Sequence, residues 1–243
     1  MKTEAIVHQD ISEIVIEGNF DVVSIDAGDV TEHVLTGAED DLKKVSVIEQ
    51  NGKLVCTGTS PMGSVSIVQN NVSFGGRATS TVIINGQVVS GTMNSAKIEP
   101  LHLALKVPAG TGLKARFTNS GSISTTAALG DVDITVSGSF EGELGHTKSL
   151  NAEFSGSATL NAKDVQGRLS VQVSGSGHVR ASGSFTSFRI NISGTAGVIL
   201  QGDVAKEARF DVSGAGFISH YGKIHGGIEK RCSGAGKISL REA

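Results

Sequence analysis

Tryptophan is absent from this 243-residue chain, tyrosine occurs once, proline three times and cysteine twice. Each scarcity removes a class of explanation. Without Trp and with a single Tyr, the chain lacks the aromatic platforms that usually carry sugar rings or unstacked bases, so carbohydrate binding and single-strand binding are both disfavoured. Cys56 and Cys232 lie far apart and constitute neither a disulfide framework nor a zinc site. No run of Lys or Arg follows a phosphate backbone and the net charge is −3, so a nucleic-acid partner is not expected. No stretch of about 18 apolar residues exists, which argues against membrane insertion. The opening MKTEAIVHQDISEIVIEG has no apolar core of the length an export signal needs. As written, the chain is expected in the cytoplasm; a cell-envelope or secreted location would follow if a signal had been removed.

Glycine, by contrast, is abundant at 32 residues. With so little proline, this is the glycine of turns in a β protein, not of collagen or a linker. Aligning on Ser-Gly gives TNSG, TVSG, EFSG, QVSG, NISG, DVSG and RCSG, with glycines at 121, 138, 156, 175, 194, 214 and 234. The spacings of 17, 18, 19, 19, 20 and 20 residues mark a solenoid in which each repeat is one coil.

Period-two alternation inside each repeat points to strands. Two residues before the glycine stand Val136, Phe154, Val173, Ile192, Val212 and Cys232, and four before it stand Ile134, Ala152, Val171, Ile190 and Phe210. Between them Thr135, Glu153, Gln172, Asn191, Asp211 and Arg231 form a polar column for solvent. A second apolar pair follows four and six residues after the glycine, as in Leu160 and Ala162 or Val179 and Ala181. Eight residues after it a second corner falls at Gly183, Gly202 and Gly222, with Asp164 in the equivalent slot. A third apolar set (Val165 and Leu169, Phe185 and Phe188, Val204 and Ala208, Ile224 and Ile228) predicts a third short strand and a roughly triangular section. At the Ser-Gly corner, Gly would allow a sharp or left-handed backbone, and the Ser hydroxyl would bond nearby backbone. The fold expected is all-β, a single-stranded right-handed parallel β-helix of about 17–21 residues per coil, forming one domain over residues 1–243.

The regular coils occupy residues 113–243, and residues 1–112 carry the pattern in degenerate form. IVIEG, EHVLTG and KLVCTG end at Gly18, Gly37 and Gly58, with Ile16, Leu35 and Cys56 in the inward slot. Between about 60 and 93 the period breaks. SVSIVQNNVSFGG and STVIINGQVVSG there read as two antiparallel hairpins, the second turning at Asn85-Gly86.

VSGSGHVRASG, ISGTAGVILQG, VSGAGFISHYG and SGAGKISL, together with the opening IVIEGNFDVVSIDAGD, resemble the putative adhesin family known as the head GIN domain. The likeness is close over the last hundred residues and looser before residue 113. It implies a parallel β-helix of the kind found in bacterial envelope proteins. It carries no established activity and no catalytic positions.

No other motif outweighs the repeat. GTGLKA at 110–115 matches a dinucleotide-loop pattern, but RFTNSGSIS after it reads as strand and corner where a helix is required. The seven histidines, at 8, 33, 102, 146, 178, 220 and 225, fall in different coil positions, so no metal site is expected. His220 takes a slot filled by Leu200 and Leu240 and is expected near a corner with its tip in water. Cys232, in the slot of Val212 and Ile192, is expected to be a buried, inert thiol. Lys230, in the slot of Phe210 and Ile190, would mark the approach to a polar chain end. Asp131 and Asp133 share one exposed face. No catalytic, cofactor-binding or metal-ligating residue is assigned, and no cofactor.

These features point to a non-catalytic structural or recognition module, adhesin-like by resemblance. It would present a rigid surface, a flat wall or the 60–93 excursion, to a protein or cell-surface partner. The alternative is a homo-oligomeric scaffold stacking end to end as bactofilins do, suggested by the missing signal, the short tail REA and a last coil without a cap. A polysaccharide-cleaving β-helix enzyme ranks third, because such short coils leave little slack for catalytic loops.

Overall fold

The computed structural model describes residues 3, 5–59, 82–84, 87–89 and 100–242. From residue 112 the chain alternates between two walls of parallel strands. One wall takes Gly112–Phe117, Leu129–Val136, Thr147–Phe154, Arg168–Val173, Phe185–Ile192, Val204–Val212 and Gly227–Cys232. The other takes Ser120–Thr125, Ser139–Leu144, Ser157–Val165, Ser176–Gly183, Thr195–Gln201, Phe217–Tyr221 and Lys237–Arg241. The result is a parallel β-solenoid of seven successive coils, as the repeat demands. A lone coil buries too few side chains to offset the ordering of its own backbone, so the coils are stable only in series.

The apolar columns run as the alternation predicts. Val136, Phe154, Val173, Ile192 and Val212 are register partners along the first wall and are buried, as are Leu160, Val179, Val198 and Ile218 along the second. The third apolar set does not build a full third wall. Its residues lie where one strand runs into the next, with Thr147 paired to Val165, Phe185 to Val204 and Val204 to Ile224. Strands of eight and nine residues use up the length a third strand would need, leaving two long sides and one short.

The Ser-Gly corner works differently from expectation. Gly138, Gly156, Gly175, Gly194 and Gly214 do not adopt the left-handed backbone, whereas Gly234 in the last copy does, with φ of 79°. What those five lack is room. A Cβ on Gly175 would stand 1.9 Å from the carbonyl oxygen of Gly156, and one on Gly194 would stand 1.9 Å from that of Gly175. The corners stack so closely because backbone bonds run directly between them, Ser176 N–H donating to Gly156 (3.0 Å) and Ser193 N–H to Val173 (2.9 Å). Hydroxyls join in at Ser137, which donates to the Thr118 carbonyl at 2.8 Å, and less closely at Ser155 and Ser174. Left-handed geometry falls at the second corner, where Gly183, Gly202 and Gly222 have φ of 147°, 135° and 143° and Asp164 has 59°.

The first Ser-Gly copy proves to be out of register. Thr118 and Asn119 turn that corner, with the Asn119 carbonyl accepting from Ser139 N–H at 2.7 Å, while Ser120 and Gly121 already belong to the next strand. The first step therefore runs from Phe117 to Val136, and 136 − 117 gives 19 residues where the Ser-Gly alignment gives 17.

The N-terminal part departs further. Glu13–Asn19 and Val22–Ala27 form a coil lying against the first regular one. The layer beyond it combines Lys53–Thr59 with His102–Val107. IVIEG and KLVCTG thus are stacked coils, with Gly18 opposite Gly58, but the later segment lies outside the earlier one. EHVLTG is not a coil of this kind. Its strand Thr31–Thr36 runs antiparallel to His102–Val107, with Ile6–His8 antiparallel beside it, and Ser46–Gln50 runs antiparallel to Lys53–Thr59. These strands and the short helix Glu39–Leu42 close that end of the solenoid. Of the excursion, Val82–Ile84 and Gln87–Val89 pair antiparallel, and the expected turn residues Asn85 and Gly86 lie outside the described residues. The SVSIVQNNVSFGG hairpin lies outside the described residues.

Gly175→Ala is expected to lower the unfolding free energy by about 1–3 kcal/mol through overpacking at the corner. Gly227→Ala, whose Cβ would meet no atom within 4 Å, should stay within about 0.5 kcal/mol of the parent. Denaturant melts of the two variants check this, and equal stabilities would refute the close-stacked corner.

Candidate functional site

The residues singled out in the sequence do not converge. His220 lies on the second wall between Leu200 and Leu240 and is fully buried, correcting the expectation of a tip in water. Its Nε2 meets the Gly202 carbonyl at 2.8 Å and its ring packs edge-on against Phe188. The second-corner carbonyl supplies indoors the partner that water would have supplied. Cys232 is exposed, not buried, since the last coil has no described strand on its far side. Lys230 is exposed beside it, opposite Phe210. Cys56 is the buried thiol, and burial pushes its pKa up to about 12. Asp131 and Asp133 face outward, accepting from Ser149 Oγ (2.7 Å) and Asn151 Nδ2 (3.1 Å) one strand away. Gly112–Phe117 is a strand, so the 110–115 glycine pattern opens no helix.

A recess of about 650 Å³ lies along the outer face of the first wall across the strands from Thr147–Phe154 to Gly227–Cys232. Register builds it. Asn151, Ser170, Arg189, Arg209 and Glu229 form one outward row, and Arg168, Ser187 and Glu207 form the row beside it. Val204–Val212 carries one extra residue relative to Phe185–Ile192 between the Phe185 and Ser187 pairings. Such a bulge bends a strand locally, here at the recess. Arg209 pairs with Glu229 at 3.2 Å, and Glu229 also engages Arg231 at 2.7 Å. Arg168 and Arg189, both exposed, have no ion pair among the described residues. Sequence motifs do not reveal this cluster, because Arg168 in one row and Arg189 and Arg209 in the other are far apart in sequence. Their separation of about one repeat is the signal that could have found it.

Comparison with known proteins bears on what such a wall is for. Residues 123–242 match the model of the family described as putative auto-transporter adhesin, head GIN domain. Through these residues the chain belongs to the head GIN domain family. The solved structure of a putative adhesin from Bacteroides fragilis is similar over 98% of this chain and 97% of its own, at 13% identity and a TM-score of 0.58, a likeness of fold. A putative adhesin from Parabacteroides distasonis aligns over 99% and 97% at 12% identity and a TM-score of 0.48. A putative lipid binding protein from the same organism aligns over 99% and 96% at 14% identity and a TM-score of 0.44. No curated protein matches the chain. Among the described residues of this head GIN protein, no helix is long and apolar enough to cross a membrane.

The closed end of the head GIN protein holds a polar cluster that coil position did not reveal. His8 and His33 come from antiparallel strands, their rings stacked with centroids 4.9 Å apart and His8 Nε2 lying 2.6 Å from His33 Nδ1. Both are buried, and His8 Nδ1 contacts Glu49 on a third strand. Burial and then the charge of His8 lower the pKa of His33 below its ordinary 6.5, and burial lowers that of His102. A base with a lowered folded-state pKa binds its proton better in the unfolded chain. Stability is therefore lost as pH falls through 6.5, and the loss levels off below the folded-state value. Melting temperatures between about pH 8 and pH 5 should decline on acidification, and less steeply for His33→Leu. An identical decline in the variant would remove His33 as the cause.

Proposed function

We propose that this head GIN domain is a non-catalytic recognition module, adhesin-like, acting at the cell envelope or outside the cell and binding a surface partner through the arginine-lined recess of the first wall. The supporting observation is a preorganised recess in which Arg168 and Arg189 stand unpaired on hydrogen-bonded strands. Arginine is a long side chain that loses much freedom when it binds. Fixing its Cα on a stacked sheet reduces the ordering cost that binding carries. The recess is lined by hydroxyls, by the arginines and by the carboxylates of Glu207 and Glu229. The adhesin description of the family agrees with this reading.

Retention of the protein on arrayed extracellular matrix proteins and cell-surface glycans tests it. The Arg168→Ala/Arg189→Ala double variant should lose at least about tenfold in retention on whichever array member is bound, as removing central arginines does at other interfaces. Arg180→Ala, on the outer face of the second wall, should bind like the parent. Undiminished retention by the double variant would refute binding at this recess.

A second reading, end-to-end self-assembly, has its own observation. In the last coil Ile228 is 49% exposed and Cys232 is exposed, whereas their partners Ala208 and Val212 are 1% and 0% exposed. This leaves Ile228 and Cys232 open on either side of Lys230, on a strand edge with no partner among the described residues, which together form a template for a second copy. Light scattering across concentration should show dimers or larger species that Ile228→Glu dissolves. A strict monomer at high concentration refutes it.

A further inference from the structure

We infer that the ligand of the first-wall recess is an acidic polysaccharide whose carboxylates are held by Arg168 and Arg189. This rests on the recognition reading above and names its ligand class. Arg189 and Arg209 are register partners on neighbouring strands, so their Cα atoms stand about 4.8 Å apart. Like charges placed directly opposite one another destabilise a sheet. Glu229 relieves Arg209, but it is shared with Arg231, and Arg189 is left with a cationic neighbour and no carboxylate of its own among the described residues. Arg168 stands one strand away and one outward position along, with Ser187 between it and Glu207 in its row. The nearest acids on the other side, Asp131 and Asp133, are occupied by Ser149 and Asn151. Glu207, diagonal to Arg189 and lining the same recess, forms no ion pair with it among the described residues, so the local rule stays broken and an external anion supplies the remedy.

The surroundings choose among anions. Both edges of each strand flooring the recess up to Val204–Val212 are already hydrogen-bonded within the wall, so no peptide can add itself as a strand there. Ile228, at the open end, is the one exposed large apolar side chain lining the recess, too little for the pockets that read a peptide's side chains. A membrane surface is too broad and flat to reach groups set into a recess. A sugar chain brings hydroxyls for Ser170 and Ser187 and a carboxylate for each guanidinium fork. Its repeat is of the same order as the strand spacing, so successive acidic sugars meet cations on successive strands. With no aromatic side chain exposed in the recess, attraction must come from charge, which makes salt dependence diagnostic.

The full chain and the Arg168→Ala/Arg189→Ala, Arg189→Lys and Arg180→Ala variants, each checked for an unchanged melting temperature, are assayed on immobilised polygalacturonate, neutral dextran, polyglutamate and phosphatidylglycerol vesicles. Expected is retention on polygalacturonate alone, lost at least about tenfold between 0.05 M and 0.5 M salt, abolished in the double variant, weakened in Arg189→Lys and unchanged in Arg180→Ala. Equal retention on polyglutamate or on vesicles, or none on polygalacturonate while arginine-dependent array binding persists, overturns the ligand class and leaves the recognition reading standing. Array binding indifferent to the double variant overturns both.

Discussion

Neighbouring coils can hydrogen-bond at the corner only where nothing projects between them, and every other feature of this solenoid follows from that constraint. The carbonyl of each corner glycine lies where the next glycine would carry its Cβ. Remove the side chain and the turns can descend at the spacing of a parallel sheet; with the spacing set, the inward residues stack in continuous columns. The recurrence of Ser-Gly is therefore a packing requirement between coils more than a conformational requirement within one. Gly183, Gly202 and Gly222, with positive φ, belong to the opposite corner, where the chain reverses toward the next strand of the first wall.

The two ends of the stack are built differently, and each shows what a coil needs. At one end antiparallel strands run along the outermost layer and close it, drawing His8, His33 and Glu49 together. At the other, the slots that are buried in every earlier coil hold Ile228, Lys230 and Cys232 in the open. Burial in a solenoid is a property of having a neighbour on both sides, not of the slot alone.

The same regularity positions the proposed binding surface. Because register along the wall is unbroken from strand to strand, residues one repeat apart in sequence become neighbours in space, and Arg168, Arg189 and Arg209 arrive on three adjacent strands without any loop to carry them. The single extra residue in Val204–Val212 is the only irregularity among the described strands of this stretch, and it coincides with the recess. A surface of this kind suits recognition, in agreement with the adhesin description of the head GIN family, since its groups are held before the ligand arrives.

The repeat, its inward columns and its polar outward row were legible in the amino-acid order, because a strand's two-residue alternation and a coil's fixed length are local properties of the chain. The antiparallel pairing of Val82–Ile84 with Gln87–Val89 was legible for the same reason. What the order of residues could not reveal depends on which segments become neighbours. Thr31–Thr36 reads like any other coil until its antiparallel partner is known, and Ser120-Gly121 reads like a corner until the pairing with Ser139 and Phe140 moves it into a strand. His220 reads as a surface residue until a buried carbonyl is brought to its ring, and Cys232 as a core residue until its strand is found with no described strand on its far side. Slot and spacing are written locally, whereas burial, direction and company are decided only when distant stretches of chain stack against one another.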